Sequence, residues 1–322
     1  LTGPKMNLFK LSSGKLAQLD REHFTLERDI QQLIEKNLHE VFNLQFVASE
    51  LTVEKFRIDT LAFDEETNSF VIVEYKKGNS YSVVDQGYSY LSVMLNNKAD
   101  FILEYNERMN ESLKRNDVDW SSSRVIFVSP SFNSYQKNSV NFRDIPFELW
   151  EIRRFADGIV GLNQHQSNSS EDIKLLSGDN ETSAIRQVSE EIKVYEESDH
   201  TAGASEKILV VWEELKEDIS NWDDVICYST KHYVGFRKGS SLISAVRIFK
   251  KHMSLDFSRG NIALDGSKSK GFLNIDDPKG KLEEKSWTYK SGVVGNSYVL
   301  KLSQADELEY AKYLIKQKYD SL

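Results

Sequence analysis

The stretch FRIDTLAFDEETNSFVIVEYKK, residues 56–77, decides the fold. It alternates as two strands around a polar turn at residues 65–68. Asp59 lies on the first strand and Glu74 on the second, with Lys76 two residues on. If Asp64 pairs with Ser69, then Ala62 faces Val71, Thr60 faces Val73, and Asp59 faces Glu74. Opposed residues share a face at about 4.5–5.5 Å. Lys76 lies on that face too, because side chains alternate along a strand. Two opposed carboxylates repel each other. A divalent cation removes the conflict, since Mg²⁺ takes hard oxygen ligands and commonly uses one or two carboxylates plus substrate phosphate. Such an ion lowers the pKa of a bound water and steadies charge on a phosphate. A neighbouring lysine steadies the attacking hydroxide. The arrangement suits phosphodiester hydrolysis.

The bland alternative is a solvated face with a surface salt bridge, which contributes only about 0–1 kcal/mol. The strand composition argues against it. Phe70 and Ile72 are apolar on one face, Val71 and Val73 on the other. A strand apolar on both faces is central and covered. Acids at its end then sit at the rim of a cleft.

Working outward, Leu26, Ile30, Leu33, Ile34, Leu38 and Val41 recur at helical spacing, with Thr25 as the expected N-cap. Glu27 falls on or beside the buried face of that helix. Strands are expected near residues 45–54, 57–64 and 69–75. The runs SVVDQGYSYLSVMLNN and ADFILEYNERMNESLKR read as helices. RVIFVSP reads as a buried strand, NSYQKNSVNF as a short helix and FELWEIRRF as a closing strand. The order α, three β, α, β, α, β predicts an α/β layered domain.

With these residues in place, Asp59 followed by Glu74-Tyr75-Lys76 resembles the D…(D/E)xK signature of the PD-(D/E)xK nuclease superfamily. Ile58 stands where the motif usually has Pro. Gln86 and Tyr90 resemble the QxxxY element of RecB-like members, and Glu27 their helix acid. The resemblance covers roughly residues 20–155. It implies a restriction-endonuclease-like α-βββ-α-β core and a Mg²⁺- or Mn²⁺-dependent nuclease, expected to be an endonuclease acting on DNA. Asp59, Glu74 and the Tyr75 carbonyl would hold metal, with Glu27 assisting metal or water. Lys76 would orient the nucleophile. Gln86, Tyr90 and Lys77 would contact nucleic acid or orient the site. The competing reading is a non-catalytic nucleic-acid-binding or regulatory protein that keeps the nuclease fold. The intact Asp59, Glu74 and Lys76 set argues against it.

The 322 residues suit two domains. Residues 164–203 are polar, carry 3 basic against 9 acidic side chains, and read as a linker with one short helix near residues 185–194. Residues 1–163 are the nuclease-like domain. Residues 204–322 alternate in VICYSTKHYVGFRK, SLISAVRIFKKH and SLDFSRGNIAL. With SYVLKL as a further strand and a closing amphipathic helix, they predict a small α+β domain. This part resembles a domain of unknown function appended to such nucleases, and implies no activity. Net charge is −9, yet the last region carries 19 basic and 17 acidic side chains, so local patches rather than the total govern phosphate binding.

A single cysteine, Cys227, excludes a disulfide framework and a cysteine zinc site, and its alternating context predicts a buried small side chain. Walker-type glycine loops, GxSxG and HExxH are absent. No apolar run approaches the roughly 18 residues of a membrane span. No signal region opens the chain, so a cytoplasmic protein is expected.

Overall fold

The computed structural model describes residues 7–77, 83–142, 144–165, 183–289 and 292–322. The chain divides into two units, Leu1–Val194 and Tyr195–Leu322, each with its own hydrophobic core.

The first unit is a mixed α/β structure. An exposed hairpin of β1 (Phe9–Ser12) and β2 (Lys15–Gln18) precedes β3 (Arg21–Glu22). Helices α1 (Glu27–Lys36) and α2 (Leu38–Phe42) lead into β4 (Gln45–Val53), β5 (Phe56–Asp64) and β6 (Ser69–Tyr75). Helices α3 (Val83–Asn96) and α4 (Lys98–Met109) cross to β7 (Arg124–Ser129). Helix α5 (Ser134–Ser139) crosses to β8 (Phe147–Phe155), and β9 (Val160–Gln164) folds back onto it. Helix α6 (Ser183–Glu191) completes the unit. The sheet order is β3-β8-β7-β6-β5-β4, with β9 also on β8. Strands β6, β7 and β8 run parallel, and the hairpin strands antiparallel.

Every residue of β6 is buried, as its two apolar faces require. Phe70 and Ile72 join one core with Leu91 of α3 and Phe101 of α4. Val71, Val73 and Tyr75 join another with Ile30 and Ile34 of α1. Each such side chain contributes about 1.5–3 kcal/mol. The sheet is therefore pinned between helices, and only its strand ends are open for chemistry.

The α1 cap differs from expectation. Leu26, not Thr25, is the N-cap, because the Asp29 carboxylate accepts the Leu26 N–H at 2.9 Å. The Thr25 carbonyl accepts from the Lys77 ammonium instead.

The second unit holds α7 (Glu197–Thr201), α8 (Glu206–Ser220) and an antiparallel sheet of order β10-β11-β12-β13-β15-β14. Its strands are β10 (Val225–Ser229), β11 (Val234–Lys238), β12 (Ser241–Ile248), β13 (Met253–Ile262), β14 (Glu283–Thr288) and β15 (Val294–Leu302). Helix α9 (Leu308–Asp320) closes the chain and packs with α8 in the second core. VICYSTKHYVGFRK forms two strands, not one. The Thr230 hydroxyl accepts the His232 and Tyr233 N–H groups at 3.3 and 3.2 Å and turns the chain. Cys227 is half-buried against this core, and burial, then the Glu197 charge, push its thiol up to about 11.

Part of the expected linker is structured. In α6 and just beyond it, Ile185, Val188 and Ile192 pack into the first core. Residues 166–182 of that stretch lie outside the described residues. Among the described residues no helix is long and apolar enough to cross a membrane.

Candidate active site

The β5–β6 register is the one the turn predicts: Asp64 opposite Ser69, Ala62 opposite Val71, Thr60 opposite Val73. The backbone ladder ends there. At the next position a side chain takes over, and Asp59 Oδ2 accepts the Tyr75 N–H at 3.0 Å. This fixes the Asp59 carboxylate against the end of β6. Behind it, the buried Gln31 of α1 donates to the Asp59 carbonyl at 3.1 Å.

Glu74 is only 3% exposed. Its Oε1 accepts from Lys76 Nζ and from Gln86 Nε2, both at 2.7 Å. Its Oε2 is buried and has no hydrogen-bond partner. A buried carboxylate oxygen left unmatched costs free energy, so it marks a place where something positive belongs. Asp59 tells the same story. Burial first, then the Glu74 charge, push its carboxyl up to about 7, against the opposing Tyr75 N–H and Lys76 ammonium.

Helix α3 supplies the next layer. Gln86 bonds Glu74 and also donates to the Tyr90 hydroxyl at 2.9 Å. The Tyr90 hydroxyl in turn donates a hydrogen bond to the Arg57 carbonyl at 3.1 Å. Burial, then the Glu74 charge, raise the Tyr90 phenol above its ordinary range and keep it a neutral donor. The Gln-x-x-x-Tyr spacing thus stitches the β5 backbone to the β6 acid across one helix turn. Gly87 makes this approach possible. A Cβ there would lie 2.6 Å from the Phe147 ring. This glycine was not anticipated from sequence, and neither was Gln31. Gly87 sits beside the motif glutamine, which was the signal available.

Not every expected residue converges. Glu27 opens α1, and its Oε1 accepts the Lys77 N–H at 2.7 Å. Its carboxylate anchors the chain leaving β6. Among the described residues no group of three or more His, Cys, Asp or Glu side chains is gathered to hold a metal ion. Glu27 is therefore not assembled with Asp59 and Glu74 as a third ligand. Lys77 is likewise engaged, its ammonium on the Thr25 carbonyl. Two carboxylates and one lysine make the centre, with Gln86 and Tyr90 behind them. The Tyr75 phenol points to the opposite core and shares a hydrogen bond of 3.1 Å with the Thr60 hydroxyl.

Comparison with known proteins adds four findings. An uncharacterized protein of Haemophilus influenzae (strain ATCC 51907 / DSM 11121 / KW20 / Rd) is 43% identical over 315 residues, 97% of this chain and 99% of that one. Residues 197–320 match a family described as a domain of unknown function, DUF5655. Among solved structures, an EndoMS–dsDNA2 complex matches with a TM-score of 0.24 and 21% identity, over 36% of this chain and 41% of that chain. A repair endonuclease from Pyrococcus abyssi matches with a TM-score of 0.22 and 17% identity, over 38% and 45%. The chain spans less than half the length of either, and likenesses this slight carry no argument.

Proposed function

This chain belongs to one family with that Haemophilus influenzae protein, and we propose that it is a metal-dependent nuclease hydrolysing phosphodiester bonds in DNA. One observation carries the reading. A buried carboxylate, Glu74, and a half-buried one, Asp59, stand at the end of one hairpin, the first with an unmatched oxygen and the second raised to about 7 by burial and then by its neighbour's charge. A single lysine does not balance them. A hard divalent cation fits this donor set.

Asp59 and Glu74 would hold the ion. The Tyr75 carbonyl leaves β6 on the same edge as its N–H, toward Asp59, which makes it a third oxygen of the right kind. The order α1, β4–β6, α3, β7, α5, β8 agrees with the restriction-endonuclease-like core. When bound, Mg²⁺ or Mn²⁺ would supply a more acidic water and stabilise charge on the scissile phosphate. The chain does the rest. Lys76, already pinned 2.7 Å from Glu74, holds and orients the attacking water. Gln86 fixes the Glu74 carboxylate, and Tyr90 fixes Gln86. Glu27 holds the exit of β6 so that Lys76 keeps its place.

The test has two arms. Titration calorimetry with Mn²⁺ should show binding to the parent and to Lys76→Ala, and none to Asp59→Ala. Incubation with a panel of single-stranded, duplex and branched DNA and RNA should show Mg²⁺-dependent cleavage by the parent alone. Full cleavage by Asp59→Ala protein would overturn the assignment.

A further inference from the structure

Strand β4 is interrupted beside Asp59. Its Glu50 has a φ of +57°, and among the described left-handed residues other than glycine it is the one that lies inside a strand. The β4–β5 ladder pairs Ser49 with Thr60 and Leu51 with Ile58, and skips Glu50 and Asp59 between them. The break therefore falls on the candidate metal ligand. A left-handed residue with a side chain costs more than an exposed ion pair returns. The ion pair that Glu50 makes with Arg57 thus does not account for the strain as a device of stability. Strain of this kind persists where function uses it.

The strained residue holds Arg57. Glu50 Oε2 accepts from Arg57 Nε, and its Oε1 accepts from Nε2 of the buried Gln31 at 3.2 Å. Gln31 is the side chain that also donates to the Asp59 carbonyl. The Arg57 backbone is fixed as well, through its carbonyl and the Tyr90 hydroxyl. Arg57 precedes Asp59 by two residues on β5 and shares its face. Asp59 is close enough to act on the guanidinium charge. Continuing the β5–β6 register beyond Thr60 and Val73 sets Arg57 across from Lys76. The Arg57 side chain is 66% exposed, and neither Nη nitrogen has a hydrogen-bond partner among the described residues. A guanidinium anchored at Nε and open at both Nη atoms presents a planar fork that matches a phosphate.

We propose that Arg57 binds a backbone phosphate of the nucleic-acid strand held in the Asp59–Glu74–Lys76 site, with Glu50 as its positioning residue. The proposal rests on the nuclease reading. Two residues of strand span about 7 Å. Phosphates recur at about 3.4 Å of rise per strand, so the contact falls about two nucleotides from the scissile bond. Such a contact sets position and affinity and is blind to base sequence.

The experiment is equilibrium binding of fluorescent DNA and RNA oligonucleotides, single-stranded and duplex, across a salt series. The full-length chain carries Asp59→Asn throughout, which keeps an acceptor for the Tyr75 N–H and removes a metal ligand. In that background Arg57→Ala should weaken binding roughly ten-fold and flatten the log–log salt slope by about 0.7–0.9, the value of one phosphate contact. Its melting temperature should hardly move, because the side chain is exposed. Glu50→Gly and Glu50→Gln carry the same charge, but only glutamine keeps an acceptor for Arg57 Nε. Glycine relieves the left-handed backbone. Glu50→Gly should therefore melt higher than Glu50→Gln yet bind several-fold more weakly. A surface ion pair without this role predicts unchanged affinity and slope in Arg57→Ala and equal binding by the two Glu50 variants, and that result overturns the proposal. If Arg57→Ala flattens the slope while the parent cleaves nothing with Mg²⁺ or Mn²⁺, the phosphate contact stands and the nuclease reading falls. If the parent cleaves and the slope is unmoved in a folded Arg57→Ala protein, the reverse holds. If no oligonucleotide binds at low salt, the proposed contact falls.

Discussion

Asp59 and Gln86 show how the site is tuned one side chain at a time. The Asp59 carboxyl is raised to about 7 by burial and by Glu74. An acid raised on folding binds more protons in the folded state than in the unfolded one. Its contribution to stability is therefore complete below about pH 4 and is lost as pH climbs through about 7. Asp59→Asn removes that loss and can still accept the Tyr75 N–H through its amide oxygen. With EDTA at pH 8, the variant should melt a few degrees above the parent, since about 1 kcal/mol corresponds to about 2–4 °C here. At pH 4 the difference should nearly close. Millimolar Mg²⁺ should stabilise the parent by mass action and the variant much less. Thermal melts at the two pH values, with and without Mg²⁺, check all three statements. A lower melting temperature for Asp59→Asn at pH 8 would mean that the two carboxylates do not oppose each other. Gln86 acts through Glu74 rather than on substrate. Gln86→Ala should cost about 10–100-fold in Mn²⁺ affinity or cleavage rate, the usual effect of losing a ligand's supporting partner. Calorimetry beside a cleavage time course separates the two.

Helix α3 is the element that sets the site's spacing, and Gly87 sets how closely it lies on the sheet. In an exposed helix Gly→Ala would stabilise by about 1 kcal/mol. Here the added Cβ would meet the Phe147 ring edge at 2.6 Å, and that ring is buried. Overpacking costs about 1–3 kcal/mol, so the steric effect wins. Gly87→Ala should lower stability and reduce the rate, because Gln86 is carried away from Glu74. Phe147→Leu in the same chain should restore part of both, as paired melts and assays would show. The strands around the site were legible for plain physical reasons. SFVIVEY is apolar on both faces, which only a covered central strand satisfies, and a short polar turn leaves one register for Asp64 and Ser69. The Gln86–Tyr90 spacing gave the helix face that meets Glu74. What stayed hidden depends on partners far away in sequence. Asp29 takes the cap position from Thr25, Gly87 matters only against Phe147, and Glu27 turns to the Lys77 backbone. In the second unit α8 carries Ile208, Val211, Trp212, Leu215 and Ile219 at helical spacing, a pattern present in the sequence but not read from it. The run before β11 hides its turn because Thr230 is β-branched and polar at once.

At the scale of the whole chain, the boundary between units matters more than the composition of the segment that holds it. Residues 164–203 are acidic and polar, which suggests a passive connection. Yet Val188 is 1% exposed and Ile192 6%, both in the core that α3 and α4 share. Gln187 also exchanges hydrogen bonds with Ser92 and Asn96 of α3, accepting at 3.0 Å from Ser92 and donating at 2.8 Å to Asn96. A fragment ending at residue 163 would uncover that face of α3. Losing two fully buried aliphatic side chains removes about 3–6 kcal/mol, a large share of the 5–15 kcal/mol that a domain has. A fragment of residues 1–194 keeps them. The expectation is therefore asymmetric. Residues 1–194 should fold alone, bind Mn²⁺ as tightly as the full chain, and show the same metal-induced rise in melting temperature. Residues 1–163 should melt at least about 6 °C lower or aggregate, since 3 kcal/mol at about 2–4 °C each comes to roughly 6–12 °C. Residues 195–322, with their own core around Trp212 and Phe236, should fold independently and melt without regard to metal. Circular dichroism melts of the three fragments, with Mn²⁺ and with EDTA, decide the matter. Equal melting of the 1–163 and 1–194 fragments would show that α6 adds nothing to the first core. A metal-dependent transition in residues 195–322 would move the candidate site out of the β5–β6 hairpin.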